Sequence, residues 1–375
     1  MIPFNKPYYS GKEKRYISKA METKTLTGDM KMIRDCEELL ENQYGFEKVF
    51  LTNSCTMALE MAALIADIQP GDEVILPSYT FVSTANAFAL RGAKLLFLDS
   101  KQNHPNMDET ELESLISDKT KAIVVVHYAG VANDFEVIQK IAQKHNLTII
   151  EDAAQCIDSF YKDKPLGTLG DISCFSFHET KNIHCGEGGF IAINNPKLIT
   201  KAEVVRNKGT NRAAFTKGEI AKYEWVDLGY SSIPSSITAA FLFSQLEKID
   251  KVQKRRLKLW KNYFKKLKHL QKSKQIELPV IPKYASNNAH IFYFVCASND
   301  ERNRLISFLN QEGVQAVFHY QSLHSSPFYK LKHDGRSLRN SDKYSERLVR
   351  LPLFFDLMTE EQELIISKVI EFYSK

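Results

Sequence analysis

Two short stretches hold side chains whose types and order could do chemistry. Glu151-Asp152-Ala153-Ala154-Gln155 follows the apolar run Leu147–Ile150. His178-Glu179-Thr180-Lys181-Asn182 follows Ile172–Phe177, with Gly186-Glu187-Gly188-Gly189 close behind. A carboxylate at one strand end and a lysine beyond another suit pyridoxal phosphate chemistry. The lysine can hold the cofactor's aldehyde as a Schiff base. The acid can keep the pyridine nitrogen protonated, so that the ring accepts electrons. In a largely apolar, cation-flanked pocket a lysine loses part of its preference for the charged form and becomes a usable base. Taken singly, Asp152 reads as a helix cap and Lys181 as a surface residue. Their order with the glycine-rich turn sets them apart.

The elements that must position these groups read as alternating strands and helices. Apolar or β-branched runs at Lys48–Leu51, Glu73–Leu76, Leu95–Leu98, Ala122–Val126, Leu147–Ile150, Ile172–Phe177 and Phe190–Ile193 predict seven strands. Helical spacing recurs at Thr56–Ala66, Val82–Leu90, Glu109–Ile116 and Phe135–His145. This alternation predicts an α/β fold with a mostly parallel sheet covered on both faces. Ser235 to Leu270 reads as one long helical stretch. After it come a strand at Ala289–Val295, a helix over Arg302–Gln311, a short strand at Gln315–Phe318 and a last helix from Thr359. We therefore expect a large domain over 1–245 and a smaller α+β domain over 246–375.

In such sheets ligands sit outside the carboxyl ends of the strands. Thr52-Asn53-Ser54-Cys55-Thr56-Met57-Ala58 opens a helix after the first strand, and free amide groups there would cradle a phosphate. Pro77-Ser78-Tyr79-Thr80-Phe81 follows the second strand, where an aromatic could stack on a flat ring. Ser176 stands close enough to Lys181 to donate to a phosphate.

Composition narrows the class. Of 375 residues, 43% are hydrophobic and 25% charged, as in ordinary soluble enzymes. No apolar run reaches membrane-helix length, and the amino terminus lacks the pattern of a secretory signal, so a cytoplasmic protein is expected. Cys36, Cys55, Cys156, Cys174, Cys185 and Cys296 show no C-x-x-C pair and no zinc-like spacing with histidine, which predicts free thiols and no metal site. Eleven basic and no acidic residues lie between Lys251 and Lys274. Leu257, Trp260, Phe264, Leu267 and Leu270 recur among them at helical spacing. The stretch therefore reads as a packed helix with a solvated lysine face, binding neither nucleic acid nor membrane.

The chain as a whole resembles the DegT/StrS sugar-nucleotide aminotransferases. The likeness rests on Gly71–Phe81, Glu151–Gln155, Ser176-Phe177-His178-Glu179-Thr180-Lys181-Asn182, Gly186–Gly189 and His319-Tyr320 followed by Leu323-His324. It implies the aspartate aminotransferase fold (type I, with a seven-stranded large domain) and a homodimer whose active site lies at the subunit interface. It implies Lys181 as the cofactor-bearing lysine and Asp152 as the partner of the ring nitrogen. Gln155 would lie by the cofactor hydroxyl, Phe81 over one ring face, and Thr56, Met57 (through its backbone) and Ser176 at the phosphate. His319, Tyr320 and His324 would meet substrate. L-glutamate would be the amino donor and a dTDP-linked keto-deoxyhexose the acceptor at C4. Amination with the opposite C4 configuration, at a 3-keto carbon, or a dehydratase or regulatory role are the alternatives within the family. Two departures stand out. Gly229-Tyr230-Ser231-Ser232-Ile233-Pro234 puts Ser231 where many relatives place a partner-subunit asparagine on the phosphate. Gln321-Ser322 stands where relatives often have proline.

Overall fold

In the computed structural model, which describes residues 1–27 and 30–374, the seven expected runs pair into one sheet. The strands are β1 (Lys48–Thr52), β2 (Glu73–Pro77), β3 (Lys94–Leu98), β4 (Thr120–Val126), β5 (Thr148–Asp152), β6 (Ile172–Ser176) and β7 (Gly189–Ile193). They lie in the order β1-β7-β6-β5-β4-β2-β3. Only β7 runs against its neighbours β1 and β6; the remaining pairs are parallel.

Successive strand residues point to opposite faces, and both faces are covered. Val49, Leu51, Ile75, Ile123, Val125, Ile149 and Phe175 pack on one side, against the helices Lys31–Tyr44, Phe135–His145 and Ser236–Leu246. Phe50, Val74, Leu76, Val124, Ile150 and Cys174 pack on the other, against Cys55–Ile65, Val82–Ala89 and Ile199–Arg206. Two-sided burial explains why the strands read as unbroken apolar runs. Phe175 and Phe190 stack at a centroid distance of 4.2 Å inside the first core. Truncating either to alanine would cost about 3–5 kcal/mol.

A second, three-stranded antiparallel sheet of β8 (Ile276–Glu277), β9 (Phe292–Cys296) and β10 (Leu348–Leu351) has its own core. The helix Ile249–Lys272 links the two bodies. Its Ile249 and Val252 join the first large-sheet core, whereas Leu259, Trp260, Tyr263, Leu267 and Leu270 join the small one. Ile2 also belongs to the small core, so the extreme amino terminus crosses to the other body. No helix among the described residues is long and apolar enough to cross a membrane, and all six cysteines are free.

Three expected elements differ. Glu109–Ile116 holds only a 3₁₀ turn at Leu112–Leu115. Asp108 caps the Thr110 amide and hydroxyl, and the Glu109 carboxylate is held by Lys101; such local bonds compete with a helix. The stretch Ser235–Leu270 breaks at Glu247-Lys248, where Lys12 and Tyr16 grip the Glu247 carboxylate. Gln315–Phe318 forms no strand, only the isolated bridge Val317–Arg350. The helices Glu13–Glu22, Lys31–Tyr44 and Arg339–Arg347 were not anticipated, nor was β10.

Candidate active site

The carboxyl ends of the parallel strands open into a cavity of about 450 Å³. Asp152, the last residue of β5, projects into it, while Glu151 before it points to the opposite face. Glu151 is fully buried and accepts from the amides of Gly167, Leu169 and Gly170 and from His127 Nε2, so it ties down a loop. Asp152 Oδ2 accepts from Thr84 Oγ1 at 2.6 Å, and Oδ1 accepts from the Ala154 amide at 3.1 Å. Because the Thr84 proton is committed to the carboxylate, Thr80 Oγ1, 2.9 Å away, must donate to Thr84. Burial pushes the Asp152 pKa up, and Thr84, the Ala154 amide and Lys181 oppose that push.

Lys181 lies on the tight connection between β6 and β7 and also lines the cavity. Burial holds its amine below the usual lysine range, with Asp152 and nearby thiols working in the other direction and Arg350 adding to the depression. No ion pair or hydrogen bond joins Lys181 to Asp152 among the described residues; the space between them is cavity. The connection can be this tight because of its glycines. Gly186 has φ +81°, and a Cβ on Gly189 would sit 2.7 Å from the Cys55 amide nitrogen and 2.5 Å from the Phe175 carbonyl. That close approach brings the start of the helix Cys55–Ile65 beside the lysine turn.

Ser54 caps this helix by accepting from the Met57 amide at 3.1 Å. Cys55, Thr56 and Ser176 line the same end of the cavity, and Thr56 Oγ1 is 2.8 Å from Ser83 Oγ. Met57 itself does not line the cavity, its amide being used by the cap. Gln155 accepts from the Ala129 amide at 2.6 Å and donates to the Tyr320 hydroxyl at 3.0 Å. Ala129 holds the left-handed φ of +59° that aims this amide. Phe81 stands at the cavity's edge, 52% exposed, its ring 5.9 Å from that of Tyr320.

The opposite wall comes from the small sheet and the chain around it. His319 and Tyr320 line the cavity, and the Tyr79 hydroxyl donates to the His319 carbonyl. His324 stands behind the wall, its Nδ1 2.7 Å from Ser78 Oγ and its Nε2 beside Asp342, because the chain after Gln321 turns away to pack on β2's end. Ser231 is exposed and outside this chain's cavity; its carbonyl accepts from Asn53.

Sequence reading missed Thr84, His290 and Arg350. Asn182 donates to Gln253 and to the Asn288 carbonyl, leaving its Oδ1 to accept from His290 Nδ1 at 3.0 Å. His290 Nε2 is therefore the bare nitrogen, and burial keeps the ring neutral. Thr84 lies in the first turn of the helix Val82–Ala89, four residues after Thr80, which precedes that helix. Nothing in the sequence marks Arg350. Among the described residues no group of three His, Cys, Asp or Glu side chains could hold a metal.

Comparisons with known proteins agree with this geometry. The chain is 31% identical over 343 residues to the uncharacterized protein MJ1066 of Methanocaldococcus jannaschii, covering 89% of this chain and 88% of that one. A DegT DnrJ EryC1 StrS aminotransferase from Brucella abortus superposes with a TM-score of 0.87 at 28% identity, covering 97% of this chain and 96% of that one. Spr1654 of Streptococcus pneumoniae, 24% identical, shares the fold with TM-scores of 0.90 in its PLP form and 0.92 in its PMP form. Those matches cover all of this chain and 98% and 99% of the respective structures. The description of the DegT/DnrJ/EryC1/StrS aminotransferase family matches residues 7–370. The chain belongs to that family of pyridoxal phosphate-dependent sugar aminotransferases.

Proposed function

We propose that the protein moves the amino group of L-glutamate to C4 of dTDP-4-keto-6-deoxy-D-glucose, giving dTDP-4-amino-4,6-dideoxy-D-galactose and 2-oxoglutarate. The observation that carries the reading is one cavity lined at once by Asp152, Lys181 and the start of the helix Cys55–Ile65. The choice of sugar rests on likeness to dTDP-4-amino-4,6-dideoxygalactose transaminase in Ser78–Phe88, Val126–Val131 and Phe177–Asn182.

The donor set fits the cofactor. Pyridoxal phosphate supplies, when bound, an aldehyde and an electron-withdrawing ring. Asp152 would pair the ring nitrogen, with Thr84 and the Ala154 amide fixing the carboxylate's angle. Gln155 would lie by the ring hydroxyl and Phe81 over one face. Thr56, Ser176 and the amides beside Met57 would hold the phosphate, where helix polarity favours an anion. Lys181 Nζ, its charged form disfavoured by burial, takes the proton from glutamate Cα and later delivers one to sugar C4. Holding both carbons in turn beside one amine supplies effective concentration. Residues 1–245 thus carry the cofactor, while 246–375 supply His319, Tyr320 and the rest of the substrate wall.

The working unit in this reading is a homodimer. Phe215, Tyr223, Trp225, Val226 and Leu228 are 42–77% exposed and run up to Ser231. An apolar stretch of this size on a surface suits a partner of the same chain, which would bring its own Ser231 to the phosphate.

The test is to incubate the holoenzyme with L-glutamate and dTDP-4-keto-6-deoxy-D-glucose. NMR coupling constants should show an axial C4 amine. An equatorial amine would assign the epimeric product, and no product would remove this sugar as the substrate.

A further inference from the structure

We propose that the solvent face of the helix Ile249–Lys272 docks this protein on an anionic lipid surface. The inference does not depend on which sugar is aminated.

The helix runs through 24 residues without a break. Lys251, Lys254, Lys258, Lys261, Lys265, Lys268 and Lys272 follow one another at steps of three or four, and all seven are exposed. At 3.6 residues per turn they fall within an arc of about 100°, in a row about 31 Å long. Leu259, Trp260, Tyr263, Leu267 and Leu270 hold the opposite face, buried in the small core. Among the described residues none of the seven forms a salt bridge; Lys251 only lies over the Phe355 ring at 5.4 Å. Lysines elsewhere are given carboxylates, as Lys266 on this same helix by Glu363 at 3.4 Å and Lys162 by Glu136 at 2.6 Å.

By composition and spacing the stretch reads as a solvated face. The structure adds that this face is one straight row which the fold leaves unneutralised. Like charges three and four residues apart repel, and an anionic plane beside the row relieves that repulsion along its whole length. The charge is also one-sided. Eleven basic residues stand between Lys251 and Lys274 in a chain of net charge +5, which leaves the remainder at −6. Such a polarised molecule turns this helix towards a negative surface before contact.

The row suits lipid headgroups better than a nucleic acid. Arg255 and Arg256 are turned to the carbonyls of Phe355, Leu357, Ala289 and His290, and Trp260 and Tyr263 are buried. Neither forked contacts nor stacking rings are therefore offered. Duplex phosphates wind away from a straight row within one turn, whereas a plane meets all seven lysines. With the apolar face already buried in the core, docking is electrostatic and peripheral. None of the seven lines the catalytic cavity.

The test is co-sedimentation of the holoenzyme with vesicles in about 0.1 M salt. Phosphatidylcholine vesicles with about one third phosphatidylglycerol should carry the protein down, and pure phosphatidylcholine should not. Salt at about 0.5 M should release it. Lys258→Glu with Lys265→Glu should weaken vesicle binding at least ~30-fold while kcat/KM stays within about threefold. Lys140→Glu with Lys197→Glu, the same charge change on exposed lysines of the large body, should leave binding within about threefold. Should the first pair not fold, Lys254→Gln with Lys268→Gln probes the same row, with an expected loss of at least ~5-fold. The proposal is overturned if the unaltered protein stays in solution or binds pure phosphatidylcholine equally. Unchanged binding in the row variants, an equal loss in the control pair, or tighter binding to duplex DNA than to the anionic vesicles would overturn it as well.

Discussion

The two walls of the cavity are built differently. The wall of Asp152 and Lys181 comes from the ends of strands in a single sheet, and its polar atoms are held by hydrogen bonds of 2.6–2.9 Å: Thr80 to Thr84 to Asp152, and Ala129 to Gln155. The facing wall gathers His290, His319, Tyr320 and Arg350 from separated parts of the chain. Its histidines are kept neutral by burial, and its guanidinium lacks an anion. The first wall is finished for one resident group. The second is left open, as suits ligands that come and go.

Breaking the finished wall should have the largest effects. Lys181→Ala should lower steady-state transamination at least ~10⁴-fold with little change in thermal midpoint. Asp152→Asn should cost ~10²–10⁴ in rate, because the ring nitrogen loses its charged partner. One bond further out, Thr84→Val removes a charge-assisted hydrogen bond of about 1.5–3 kcal/mol. It should weaken cofactor retention on dialysis ~10–100-fold while leaving the sugar's KM unchanged.

Acidification sharpens the contrast from the stability side. His104 is buried beside Lys101, its Nε2 has no partner, and its pKa is pushed down to about 3, chiefly by burial. The folded state therefore binds one proton fewer than the unfolded state below about pH 6.5. This group's contribution is fully present above that pH and drains away by about 1.4 kcal/mol per pH unit as pH falls towards its folded value. Urea midpoints between pH 7 and 4 should show the loss, and His104→Asn should flatten it. The smallest effect is expected behind the wall. His324→Asn should cost about 1 kcal/mol of stability through Ser78 and leave kcat/KM within about threefold.

The first wall was legible because strand tips advertise themselves. A buried apolar run followed by a polar residue locates a carboxyl end, and Asp152, Ser176 and the helix start at Cys55 all follow such runs. The large sheet was readable for the same reason. The second wall was not, since β10 is four residues long and pairs with β9 across more than fifty positions of chain. Arg350 looks like any basic residue until that pairing sets it in the cavity. The helix expected at Glu109 failed because its own side chains bind neighbouring amides and Lys101. The break at Glu247 depends on Lys12 and Tyr16, far away in sequence.

The most direct test of the central claim is borohydride reduction of the purified protein followed by peptide mass mapping. The account predicts one modified residue, Lys181, carrying the reduced mass of pyridoxal phosphate, with the visible band lost at the same time. Cofactor mass on another lysine, or none in protein saturated with the vitamer, would contradict it.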